Sequence, residues 1–254
     1  MDFAYAIEIY ERLGMKKEAA NTYYEKGSYY QAATVYIELY LEKLDYPPSA
    51  ERHYYYEKIF ECATRAEFLG NTKEATEILI QFAIKVEGKD PKLAAYVYGD
   101  KLEMKEKVID LYKKHKMYYE AASSYEKLGD NRNAAEYYCL SAVIDKFSGS
   151  WARAAPLLEQ LELLSDAAVA YENAGRIRDA ARVYQNLGKK EDTARILESS
   201  DDVELKKEAL KLHRELGNDK KVAELAAKIG RIEEWEYQRA LDIERNTCCG
   251  GACG

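Results

Sequence analysis

At 254 residues, 47% apolar and 33% charged, the chain can bury a substantial core in one domain or two. Four prolines and 14 glycines supply few strand-ending turns, and no apolar run reaches the length of a membrane-spanning helix. The 38 basic and 45 acidic residues give a net charge of −7 with no basic block, which argues against a non-specific nucleic-acid or anionic-membrane binder.

The opening Met1-Asp2-Phe3-Ala4 lacks the basic start of a secretory leader, so a cytoplasmic location is expected. From there the chain runs on a beat of thirteen residues, set by a small residue and an aromatic or aliphatic one four positions later. Ala6/Tyr10, Ala19/Tyr23 and Ala32/Tyr36 begin it. Longer helices are expected from Ser28 to about Leu44, from Ser49 to Leu69 beyond the break at Pro47-Pro48, and from Thr72 to Val86. The beat resumes with Val108/Tyr112, Ala121/Tyr125 and Ala134/Tyr138, the last opening a longer segment, Asn131 to Phe147, that closes on Ser148-Gly149-Ser150. Ala154/Leu158, Ala167/Tyr171, Ala180/Tyr184 and Thr193/Leu197 follow, then the weaker Ala209/His213 and Val222/Ala226.

Positions i, i+4 and i+7 of such a unit share one helical face. Glycine stands eight residues after the small residue at Gly14, Gly27, Gly129, Gly175, Gly188, Gly217 and Gly230, where it can end the helix in the left-handed conformation. Each unit is then a helix of about ten residues with a short turn, too brief to stand alone in water. Paired alanines such as Ala121-Ala122 and Ala167-Ala168 let neighbouring axes approach, and the tyrosine fills the space between layers. The expected fold is all-α: a right-handed superhelical solenoid of stacked antiparallel helix hairpins, about 15–16 helices in one domain over 1–245. It has longer hairpins at about 28–98, short units at about 105–230, and a flexible Cys/Gly-rich tail at 246–254.

The segment from Tyr171 through Ala174-Gly175 and Ala180-Ala181 to Tyr184 resembles the TPR-like α-solenoids. The closest flavour is the short-helix repeats of coatomer, clathrin and intraflagellar-transport subunits and of soluble NSF attachment proteins. The likeness runs over roughly residues 1–245. It departs from a standard TPR in its thirteen-residue step, shorter than half of a repeat of about 34 residues, and in lacking the recurrent proline. The resemblance implies protein binding.

Tyrosine occurs 23 times against five phenylalanines. Most sit in the wedge position, but Tyr30 and Tyr119 fall two residues before the small residue, where other units carry polar side chains. The block His53-Tyr54-Tyr55-Tyr56 spans more than half a helical turn, so at least one ring should face outward. These six are the candidate partner contacts. Cys248, Cys249 and Cys253 crowd the tail as candidate zinc or iron–sulfur ligands lacking a fourth partner, whereas Cys62 and Cys139 read as buried small hydrophobes. His115 and His213 occupy packing positions. With no catalytic motif and no required cofactor, the expectation is a non-catalytic protein-interaction scaffold or adaptor binding a partner protein along a tyrosine-rich surface. The alternative is an accessory protein of a metalloenzyme or redox complex whose tail binds or delivers a metal ion. Membrane association would arise only through a partner or a lipidated tail.

Overall fold

The computed structural model describes residues 3–232, and its internal contacts divide the chain into two compact units, Met1–Ser124 and Tyr125–Gly254. The first holds α1 (Phe3–Arg12), α2 (Lys16–Glu25), α3 (Tyr29–Leu44), α4 (Ala50–Phe68) and α5 (Thr72–Val86). These are followed by α6 (Pro91–Tyr96), which runs directly into a π-helical turn at Val97–Lys101, and by α7 (Lys105–Lys114). The boundary falls inside α8 (Tyr118–Lys127). The second unit holds α9 (Asn131–Ile144), α10 (Ser148–Gln160), α11 (Leu164–Asn173), α12 (Ile177–Asn186), α13 (Lys190–Glu198) and α14 (Val203–Glu215), with helix again from 219 to 232. No strand occurs among the described residues. Within each unit the helices pack mainly on their neighbours in sequence, an all-α array of stacked helices, and in the first unit α3 also meets α5. The tail at 246–254 lies outside the described residues.

One turn recurs and explains the beat. At the end of α11, Gly175 takes φ +71°; its N–H donates to Glu172 O at 2.9 Å, and the Arg176 N–H reaches back to Tyr171 O at 2.9 Å. This is the paired bonding of a left-handed helix terminus. Arg176 then offers its own carbonyl to Ala180 N–H at 2.9 Å, starting α12. A single residue thus closes one helix with its N–H and opens the next with its C=O. Met15, Ser28, Met117, Asp130 and Lys189 do the same. Side-chain capping is therefore optional: Asp130 accepts from Asn133 N–H at 3.1 Å, but Met15, Arg176 and Lys189 provide no such bond.

The glycine rule needs two corrections. Lys116 and Glu162, eight residues after Val108 and Ala154, hold φ +56° and +60° without being glycine, so the turn is dictated by its hydrogen bonds and not by residue type. Gly230, by contrast, lies inside the helical residues 219–232 and ends nothing. Likewise Ser148-Gly149-Ser150 is no loop but the first turn of α10, after α9 has stopped at Ile144.

The paired alanines are buried throughout, from Ala19-Ala20 to Ala180-Ala181. Of the wedge tyrosines, Tyr36, Tyr138, Tyr171 and Tyr184 are buried, whereas Tyr10, Tyr23 and Tyr125 are half-buried.

Because a Cβ at Gly175 would meet no atom within 4 Å, a substitution there strains the backbone alone. Gly175→Ala should cost about 1 kcal/mol, and Glu162→Gly should stabilise by a few tenths to about 1 kcal/mol. Urea denaturation of the full chain checks both signs; a change of the same sign in the two variants removes this account of the turn.

Candidate functional site

Helix α4 carries four of the residues singled out by the sequence, and helical geometry separates them. Consecutive side chains point about 100° apart, so neighbouring rings cannot share one face. Tyr55 points into the core, 2% exposed, and its hydroxyl donates to Glu51 Oε1 at 3.1 Å; burial first, and Glu51 next, push its pKa up to about 12. Tyr55 is therefore a core residue and not a partner contact, a correction to the sequence expectation. His53 is the exposed member, with Nε2 3.2 Å from Glu57 Oε1.

The half-buried Tyr54 turns toward α2. Its hydroxyl donates to Asn21 Oδ1 at 3.0 Å, an oxygen that also accepts from Tyr36 at 2.6 Å. Lys17 Nζ lies 5.1 Å from its ring centroid. Lys58 Nζ stands between Tyr24, at 4.6 Å, and Tyr54, at 5.9 Å, and bonds Glu61 at 2.7 Å. This side of α4 holds its own cation and carboxylate.

Tyr56 turns the other way. It packs on Phe60, centroids 4.8 Å apart, and stacks with His53 at 6.4 Å and 14°. The two aromatics open onto a groove of about 460 Å³ lined by Tyr56, Phe60 and Thr64 of α4, Leu79 of α5, Tyr96 of α6 and Lys101 of the π turn. Glu57 and Glu67 also line it. Phe60 and Tyr96 stand 6.5 Å apart at 60°, and Lys101 Nζ sits over both, 5.8 and 5.5 Å from their centroids. The groove belongs wholly to the first unit. Phe60, Tyr96 and Lys101 were missed by sequence reasoning; the only local signal was Tyr56, four residues before Phe60.

The remaining candidates lie elsewhere. Tyr30, half-buried at the start of α3, faces α5: its N–H donates to Glu74 Oε1 at 3.1 Å and its hydroxyl lies 3.5 Å from Glu77 Oε1. Tyr119 is half-buried in α8 and is not among the groove residues. Cys248, Cys249 and Cys253 lie outside the described residues, and among those described no group of three His, Cys, Asp or Glu is placed to hold a metal ion. Cys62 is buried, which pushes its thiol up to about 12, whereas Cys139 is only half-buried.

The second unit shows what the wedge tyrosines do with their hydroxyls. Tyr171 of α11 donates to Glu159 Oε2 of α10 at 2.9 Å, and Arg182 of α12 grips the same carboxylate with two bonds, 2.6 and 2.9 Å. One helix along, Tyr184 donates to Glu172 at 3.0 Å, and Arg195 forks onto it at 2.6 and 2.9 Å. Glu126, Tyr138 and Arg153 form a third set, both bonds at 2.8 Å. Each set clips three successive helices through one carboxylate. The spacing follows from the beat: the glutamate stands one residue after its own unit's wedge, hence twelve before the next wedge. At Glu198 the spacing slips: the next wedge, His213, stands fifteen residues on and brings its Nε2 to 3.4 Å without a well-formed hydrogen bond, while Lys221 bonds the carboxylate at 3.1 Å.

No family model matches the chain, and no curated protein matches it. Among solved structures it is similar to a "Circular tandem repeat protein with novel repeat topology and enhanced subunit contact surfaces", over 91% of this chain and 53% of that one, at 15% identity and a TM-score of 0.24. The chain thus spans about half the length of that protein. No helix among the described residues is long and apolar enough to cross a membrane.

Arg182 and Arg195 hold Glu159 and Glu172 below the ordinary carboxylate range, with the tyrosine hydroxyls adding to the effect against burial. A depressed folded pKa contributes stability that is complete above the unfolded value near 4.5 and is lost as pH falls through the folded one. Glu159→Gln with Glu172→Gln removes the charges and leaves an acceptor for each tyrosine. The double variant should lose about 1 kcal/mol at pH 7, discounted because the guanidiniums are half-exposed, and the difference should shrink as pH falls below the unfolded carboxylate value and on through the folded one. Denaturation against pH reads it; a difference that persists in acid contradicts the ion-pair account.

Proposed function

We propose that this protein is a non-catalytic cytoplasmic interaction scaffold, an adaptor that takes a segment of a partner protein into the groove between α4, α5 and α6. The observation that carries this reading is the groove itself: Tyr56, Phe60 and Tyr96 line one concave surface, held on helices of the first unit. Tyr96 stands 38% exposed on the groove wall. Tyr and Phe on fixed helices present large contact area at little cost in conformational freedom. A groove of this size fits a few side chains of an extended or helical segment. The likeness to TPR-like arrays supports the same reading at the level of architecture, since stacked helices offer preformed surfaces. His53 and Tyr56 contribute at one edge. Tyr54 and Tyr30 serve packing and polar bonding first.

Thr64 lines the groove, is exposed, and belongs to no core cluster, so it can carry a probe without disturbing the fold. A photo-crosslinking side chain at Thr64 should capture one discrete protein in the native cell, and the same probe at exposed Lys73 should not. Thr64→Trp, which fills the groove, should cut partner recovery about tenfold with an unchanged melting curve. Equal recovery with Thr64→Trp overturns the assignment of the groove.

A further inference from the structure

The groove already contains a cation. Lys101 Nζ rests over the faces of Phe60 and Tyr96, at 5.8 and 5.5 Å, and meets no carboxylate among the described residues. Its backbone ends the π-helical turn, so the side chain enters the groove from one wall. On the same groove Glu57 faces His53 at 3.2 Å, and Glu67 has no basic partner among the described residues. The groove lining therefore holds two carboxylates and one tethered ammonium, and Glu57 is met from outside the lining by His53. The aromatic cage is filled, yet the acid is left without its cation.

An ammonium is compact and strongly hydrated, so its hold on two ring faces at more than 5 Å is weak. A guanidinium is flat and less hydrated; it stacks on a ring while its edge forks onto a carboxylate. We propose that the groove recognises an arginine of the partner segment, flanked by small aliphatic residues. The guanidinium replaces the Lys101 ammonium over Phe60 and Tyr96 and pairs with Glu67, while the flanking methyl groups meet Leu79, Ala63 and Ala75. Lys101 acts as an internal stand-in that keeps the cage occupied and sets a threshold against weak guests. This rests on the groove's being the docking site, and it adds the chemistry of the side chain that enters.

The test uses the full chain with carbon-13-labelled Phe and Tyr rings and two synthetic peptides. One is acetyl-Ala-Leu-Arg-Ala-Leu-Ala-amide; the other carries citrulline, neutral and of nearly the same shape, in place of arginine. The arginine peptide should shift the Phe60, Tyr56 and Tyr96 ring signals saturably and bind at least about threefold tighter than the citrulline peptide. Lys101→Met should strengthen the arginine peptide by about the same factor and leave the citrulline peptide unchanged, and Glu67→Gln should weaken the arginine peptide alone. Melting curves of both variants establish that they fold. Equal binding of the two peptides overturns the guanidinium assignment while leaving the groove as a docking place. Silence of these rings toward both peptides, with the Thr64 crosslink intact, overturns it as well and leaves the docking reading standing; loss of that crosslink too would remove both.

Discussion

Everything in this fold depends on a residue that bonds in two directions at once. A ten-residue helix cannot hold itself together in water, so its ends must be closed by something other than length. Arg176, Met15 and Lys189 each close one helix with their N–H and open the next with their C=O, and the turn fixes the direction in which the chain returns. With the return fixed, the alanine pairs face one another and axes can approach closely enough to bury them completely. The energy comes from that burial. The turn decides where it can happen.

The carboxylate clips extend the same economy to polar groups. A wedge tyrosine buries its ring between two layers and must place its hydroxyl near a partner, because an unpaired buried hydroxyl is costly. Glu159 and Glu172 accept that hydroxyl and a forked arginine together, so each satisfies a group from the next helix and one from the helix after it. The first unit solves the same problem with Asn21, which accepts from Tyr36 and Tyr54, and with Lys58 held between ring faces. Both units use tyrosine hydroxyls as fasteners, as Tyr23 does on Glu11, and tyrosine rings as seats for cations, as Tyr171 does for Arg176.

How much of this could be read from the sequence follows from how far apart the interacting residues lie. Helix positions were legible because their causes are local: α5 runs from Thr72 to Val86 as its pattern indicates, and α3 and α4 match within a residue at each end. The left-handed turns at Lys116 and Glu162 were not legible from residue type, since neither is glycine, yet the count of eight from the small residue marks both. Gly230 misled for the converse reason. Its position fits the count, but helix continues through it. Tyr55 could not be separated from Tyr54 and Tyr56 without knowing which face α3 and α5 cover. The groove was beyond reach because Phe60 meets Tyr96 and Lys101 only after two turns of chain and a π bend have brought them together.

The location of that groove has a physical cause. Where the thirteen-residue beat holds, each helix presents the same face to its neighbour, and the clips consume the polar groups between them. Between α3 and α7 the beat is suspended: the helices lengthen, Pro91 starts a short α6, and the π turn at Val97–Lys101 adds a residue to the helical circuit. Faces that differ in length and pitch cannot close on one another along their whole extent. What remains open is aromatic, because the residues there were placed to pack, and acidic, because α4 adds Glu57 and Glu67 to the same lining. An irregularity in the repeat thereby makes a concave surface of aromatic and charged side chains without any loop to carry it.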